Sequence, residues 1–127
     1  MIINTKLLYQ SAKMPVANAD GISSTLFACL VGDFDGFKDI EPHSTRKIST
    51  GIEIDIPAGY VALLCPDSTL AAEQGLDIAG GFTLLSAMDN GELFVMLHND
   101  SDYVRTINEG QAIARIIVMP ATPAEFA

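Results

Sequence analysis

Tryptophan is absent from this 127-residue chain, cysteine occurs twice, and Lys plus Arg total 7 against 16 Asp plus Glu. Each shortage excludes something. Aromatic residues make up only 7% of the chain, so any core is aliphatic. Cys29 and Cys65 lack metal-type spacing, which argues against a disulfide framework and a zinc site. Cys65 follows the apolar run 61–64 and reads as a small buried residue. A formal net charge of −9 leaves no footprint of clustered Lys and Arg for duplex nucleic acid. The same acidity opposes a polyanionic ligand unless a local cation or a divalent metal offsets the field. No apolar run reaches the roughly 20 residues of a membrane span. The start MIINTKLLYQSAK lacks the apolar centre and cleavage site of a secretory leader. The expectation is a soluble intracellular, cytoplasmic protein with neither membrane nor duplex nucleic acid as partner.

What is present is apolar and finely punctuated. Hydrophobic residues make up 49% and charged residues 18%, a globular composition for one domain spanning 1–127, with 119–127 as a surface tail. Turn residues recur at 18–21, 32–36, 57–59, 80–81, 89–91, 99–102 and 109–110. Between them lie short apolar runs at 26–31, 46–49, 52–56, 60–65, 82–85, 92–98 and 112–118. Many short strands at this spacing predict an all-β sandwich, jelly roll or barrel. Ile52, Ile54 and Ile56 alternate with Glu53 and Asp55, the pattern of a strand with one wet face. Residues 93–97 and 116–119 are apolar on both faces and need cover on both sides, which subunit association supplies. Only 68–74 reads as helix, with Ser68 as N-cap and Gly75 as the stop.

Several segments carry a resemblance that covers roughly 42–120. They are Thr50-Gly51-Ile52, Pro57-Ala58-Gly59-Tyr60, Pro66-Asp67-Ser68-Thr69-Leu70-Ala71, the expected hairpin 84–92, His98-Asn99, and the run 110–117 (GQAIARII). In this order and spacing they resemble the trimeric dUTP pyrophosphatase (dUTPase) family. The resemblance implies a dUTPase-like distorted jelly roll with one very short helix, assembled as a homotrimer.

The resemblance also implies where family chemistry is altered. Its second-motif Arg, which neutralises phosphate, is Asp67 here. The third-motif Asp that activates water is Ser86, and a hydroxyl cannot serve unaided as that base. The Tyr that packs on deoxyribose is Asp89. The base-binding Asn falls at Gly80, the fourth-motif Gln is Arg115, and the first-motif Asp is Thr25. The family's Gly-rich C-terminal arm has no counterpart before Ala127.

The expected function is therefore a trimeric scaffold with a degenerate, non-catalytic site that binds a nucleotide, another small molecule or a protein partner. The candidate binding residues are Ser68, Thr69, Gly80, Ser86, Asp89 and Arg115. Three of them have a plainer reading: Ser68 as a helix cap, Asp89 as part of a turn at 89–91, and Arg115 as half of a salt bridge at a subunit interface or strand edge. His43 reads as a surface or interface residue, and 99–102 as a solvated turn. No metal or cofactor is expected. Two alternatives stand beside this reading. One is a structural trimer such as a viral surface or decoration protein, located in the virion. The other is a divergent Mg²⁺-dependent dUTP or dNTP pyrophosphatase.

Overall fold

A computed structural model describes residues 1–33 and 35–127. Phe34, inside the expected turn 32–36, lies outside the described residues. The strands are β1 Thr5–Leu7, β2 Val16–Ala17, β3 Ser24–Phe27, β4 Phe37–Ile40, β5 Thr45–Ser49 and β6 Ile52–Ile54, then β7 Tyr60–Pro66, β8 Leu76–Ile78, β9 Thr83–Ser86, β10 Phe94–Asn99, β11 Arg105–Asn108 and β12 Ala112–Pro120. One helix, α1 Ser68–Gln74, lies between β7 and β8. Among the described residues the fold is all-β with a single short helix, as the sequence predicts.

Among the described residues the strands form four antiparallel sheets, ordered β1-β6, β5-β10-β8, β11-β4 and β2-β3-β12-β7-β9. Buried aliphatic side chains fill the space between the larger sheets. Leu26, Ala62, Leu64, Ala114 and Ile116 come from the five-stranded sheet, and Ile48, Val95, Leu97 and Ile78 from the three-stranded one. The alternation at 52–56 holds: Ile52, Ile54 and Ile56 are buried while Asp55 is exposed.

Residues 84–92 are not a hairpin. β9 pairs with β7, and β10 pairs with β5 and β8, so the segment crosses from one sheet to the other. The crossing is fixed by Leu93, whose N–H donates to the Ile52 carbonyl and whose own carbonyl accepts from the Thr50 N–H. The tail also begins later than expected, because Met119 and Pro120 still pair with Val61 and Tyr60 at the end of β12.

The outer face of the five-stranded sheet follows from its register. Leu84, Leu63 and Ile117 lie side by side across β9, β7 and β12. Ser86, Val61 and Met119 form the next row. Cys65, Arg115, Thr25 and Val16 form the third. None of these side chains is fully buried, and Leu84 is 58% exposed. Cys65 belongs to this face and is half-buried, not a core residue. Its position in the strand decides this, since Ala62 and Leu64 take the inward places. Among the described residues no helix is long and apolar enough to cross a membrane.

Candidate functional site

Two separate groups of candidate residues emerge, at opposite ends of β7. The first is the corner where β7 runs into α1. Asp67, not Ser68, caps the helix: its carboxylate accepts from the Leu70 N–H at 3.2 Å. Asp67 holds extended backbone angles (φ −72°, ψ 120°), the conformation a cap requires, whereas Ser68 is already inside the helix. Ser68 and Thr69 are both exposed. Arg115 lies opposite Cys65 on one side and Thr25 on the other. Its Nε donates to the Pro66 carbonyl at 3.1 Å. Among the described residues it makes no ion pair within 4 Å, so the expected salt bridge is absent within this chain.

A relay of side chains borders this corner. Thr25 Oγ1 donates to Asn18 Oδ1 at 2.8 Å, Asn18 Nδ2 donates to Ser23 Oγ at 2.9 Å, and Ser23 Oγ donates to Asp20 Oδ2 at 2.5 Å. The other Asp20 oxygen accepts from the Ile22 and Ser23 N–H groups at 2.9 and 2.8 Å. The Ser23 hydroxyl, the N–H groups of Ser23 and Ile22, and the nearby Arg115 charge hold the Asp20 carboxyl down at about 2. Asn18, Asp20 and Ser23 were not singled out in the sequence. Asn18 and Asp20 fall in the expected turn at 18–21, and Ser23 begins the segment 23–28 that resembles the family's first motif.

The second group is the turn after β9. The Asp89 N–H donates to the Ser86 carbonyl at 3.0 Å, so the turn runs from Ser86 to Asp89 and not through 89–91 as expected. The reason is the Asp89 side chain. Its Oδ2 accepts from the Ser86 N–H at 2.7 Å and lies 3.4 Å from the Ser86 hydroxyl, locking the loop three residues early. Asp89 also lines a small cleft of about 210 Å³ between Ile56 and Phe94. Ser86 opposes Val61, and Arg115 opposes Cys65. Four residues of strand at about 3.3 Å each separate the two groups by roughly 13 Å. Gly80 lies apart again, in the turn that leads from β8 into β9, with φ +80°.

Other expected positions resolve as structural features. Asn99 is fully buried, not a solvated turn residue. Its side chain donates to the Ile40 and Tyr103 carbonyls and accepts from Ser101. His43 contacts Asp102 at 2.8 Å on the surface. Tyr9, beside Glu92, has its hydroxyl pushed above its ordinary value of 10.0 by that carboxylate. An apolar cleft of about 670 Å³ is lined by Ile3, Ile54, Ile116 and Val118 among others, and contains none of the candidates.

The donor set does not fit a protein-held Mg²⁺. Asp67, Asp20 and Asp89 each accept from backbone N–H groups of their own loops. Among the described residues no three His, Cys, Asp or Glu converge to hold a metal.

A family model described as dUTPase matches residues 38–127. The chain belongs to the dUTPase family. A relative from Hydrogenobaculum sp. (strain Y04AAS1) is 30% identical over 125 residues, covering 98% of this chain and 84% of its own length. One from Leifsonia xyli is 38% identical over 88 residues, covering 68% of this chain and 58% of that relative. One from Gloeobacter violaceus is 32% identical over 87 residues, covering 68% and 59%. The chain thus spans under two thirds of the length of several relatives it matches. All three are named deoxyuridine 5'-triphosphate nucleotidohydrolase. A mutant dUTPase from phage phi11 of S. aureus, described as coordinating a structural Mg(II) ion, superimposes with a TM-score of 0.83 at 23% identity, covering 100% of this chain and 95% of that one. The Staphylococcus bacteriophage 80alpha dUTPase gives 0.83 at 22% identity, covering 99% and 94%. These superpositions identify the dUTPase jelly roll.

Proposed function

We propose that this dUTPase-family chain forms a homotrimer whose inter-subunit clefts capture a nucleotide without hydrolysing it. The protein is read as one intracellular domain spanning 1–127. The observation that carries the reading is Asp67. A carboxylate stands where the family places a phosphate-binding Arg, and its bond to the Leu70 N–H holds it there. Charge reversal at such a position replaces a bidentate attraction with repulsion. The other altered positions act in the same direction. Ser86 offers a hydroxyl where a carboxylate base is needed, and Asp89 offers no stacking surface. The names of the relatives point to hydrolysis, and this reading parts from them at those positions.

The trimer is supported by the outer face of the five-stranded sheet. Its row Leu84, Leu63 and Ile117 offers an apolar surface for a second copy. A partner-binding role is a variant of the same reading. The 80alpha phage dUTPase is itself described as controlling transfer of virulence genes by a G protein-like mechanism.

One observation favours a second reading, a divergent active dUTP or dNTP pyrophosphatase. Asp89 Oδ2 lies 3.4 Å from the Ser86 hydroxyl, so a carboxylate has returned to the neighbourhood of the missing base. The two readings separate in one assay. Pyrophosphate release from a dNTP panel with Mg²⁺, run beside calorimetry on the same nucleotides, shows binding alone or binding with turnover. Turnover abolished by Asp89→Asn would establish the second reading, and silence in both would favour a structural trimer.

A further inference from the structure

Asn90 and Gly91 follow the Ser86–Asp89 turn, and both are exposed. The chain is anchored on either side of them. Before them, Asp89 Oδ2 accepts from the Ser86 N–H at 2.7 Å. After them, the Glu92 carboxylate accepts from the Ser49 hydroxyl, and the Leu93 N–H donates to the Ile52 carbonyl at 2.8 Å. Between these anchors, among the described residues, neither the Asn90 side-chain amide nor the Gly91 N–H makes a hydrogen bond. Gly91 has φ +87°, and a Cβ built there would meet nothing within 4 Å. The left-handed angle favours glycine at this position. Glycine in turn leaves its backbone nitrogen open to the side chain before it.

The other asparagines lack this combination. Asn18 and Asn99 commit their side chains to hydrogen bonds, with Ser23 and Thr25 for the first and with the Ile40 and Tyr103 carbonyls for the second. Asn4 and Asn108 precede Thr5 and Glu109, whose side chains crowd the nitrogen that would have to react.

We propose that Asn90–Gly91 is a self-modification site, at which the chain converts its own asparagine to aspartate and isoaspartate. The Gly91 backbone nitrogen gives its proton to hydroxide and attacks Asn90 Cγ. A bond from that nitrogen to Cγ forms, the bond from Cγ to the side-chain nitrogen breaks, and ammonia leaves. Water then opens the five-membered imide. Cleavage at Cγ gives aspartate, and cleavage at the main-chain carbonyl carbon gives isoaspartate. Either product adds one negative charge to the formal −9 of the chain. The new carboxylate stands on the small cleft that Asp89, Asn90 and Glu92 line. The isoaspartate form also lengthens the main chain between the two anchors. The turn beside Ser86 thus gains charge as the molecule ages, whether the chain binds a nucleotide, cleaves one or does neither.

The test is incubation of the full-length folded chain in mildly alkaline buffer, beside a urea-unfolded sample at the same pH. Ion-exchange chromatography follows the acidic product, and peptide mapping by mass spectrometry locates it. The folded chain should convert at Asn90 within about tenfold of the unfolded rate, as for a loop whose opening costs little. The rate should rise with pH, because the attacking nitrogen must lose its proton. Mapping should find both aspartate and isoaspartate at position 90, with Asn18 and Asn99 unchanged. Asn90→Gln requires a larger ring and should yield no acidic species on the same timescale. Asn90→Asp should elute with the aspartate product. A folded rate slower than that tenfold limit would show that the loop holds the pair apart, and would overturn the proposal. An acidic species that persists in Asn90→Gln would overturn it too, by placing the modification elsewhere.

Discussion

Replacing Asp67 tests whether this residue is held by the fold or left over at a phosphate site. α1 has only seven residues, and the Asp67 carboxylate satisfies one of its free N–H groups through the 3.2 Å contact to Leu70. Asp67→Ala removes that acceptor and should destabilise the protein by about 1 kcal/mol, the usual loss for an N-cap. For a domain of this size that corresponds to a Tm lower by roughly 3–5 °C. Asp67→Asn keeps a carbonyl oxygen in place and should stay within about 0.3 kcal/mol of wild type, since Asn and Asp cap almost equally well. Asp67→Arg restores the family residue, loses the cap and adds a cation at the positive end of the helix. That should destabilise by the cap term plus about 0.3–1 kcal/mol. Urea denaturation at one fixed protein concentration measures all three, the concentration being fixed because association contributes to apparent stability. Alanine and asparagine variants of equal stability would refute the capping argument. An arginine variant more stable than wild type would refute it as well.

Gly51→Ala should be among the most damaging single changes. Gly51 has φ +69°, and an added Cβ would lie 2.7 Å from Cys29 Sγ and 2.9 Å from Ala12 Cβ. Left-handed strain of about 1–2 kcal/mol plus overpacking of about 1–3 kcal/mol predicts a loss of roughly 2–5 kcal/mol in urea denaturation. Leu84→Asp should shift the protein toward monomer in sedimentation velocity, with far-UV circular dichroism unchanged; an unchanged trimer would place the interface elsewhere. The depressed Asp20 carboxyl contributes stability that is complete above its ordinary value of 3.8 and is lost as pH falls through about 2. Asp20→Asn should flatten the acid limb of the urea midpoint between those values, and a parallel limb in the variant would dismiss the Asp20 relay as its source.

The sheet strands with strong patterns were legible in the sequence. The run 52–56 alternates, 60–65 and 112–118 are apolar and β-branched, and Ser68–Gln74 has helix formers closed by Gly75. β1, β2, β4, β8 and β11 were not legible, because each has two to four residues and no period can be read from so few. Their pairing is set by partners distant in the chain, such as Arg105–Asn108 on Phe37–Ile40. The expected hairpin at 84–92 failed for the same reason: adjacent apolar runs do not reveal that one belongs to β7 and the other to β5. In the site, Arg115 and Asp67 were visible as departures from a family pattern. The capping role of Asp67 and the Asn18–Asp20–Ser23 relay depend on backbone direction, which residue types alone do not show.

Pyrophosphate release from dUTP with Mg²⁺ tests the central claim most directly. The account predicts no release above buffer from the purified wild type, while calorimetry on the same sample detects a bound nucleotide. Sustained turnover that Asp89→Asn or Ser86→Ala abolishes would contradict it, and would make the Ser86–Asp89 turn a working active site.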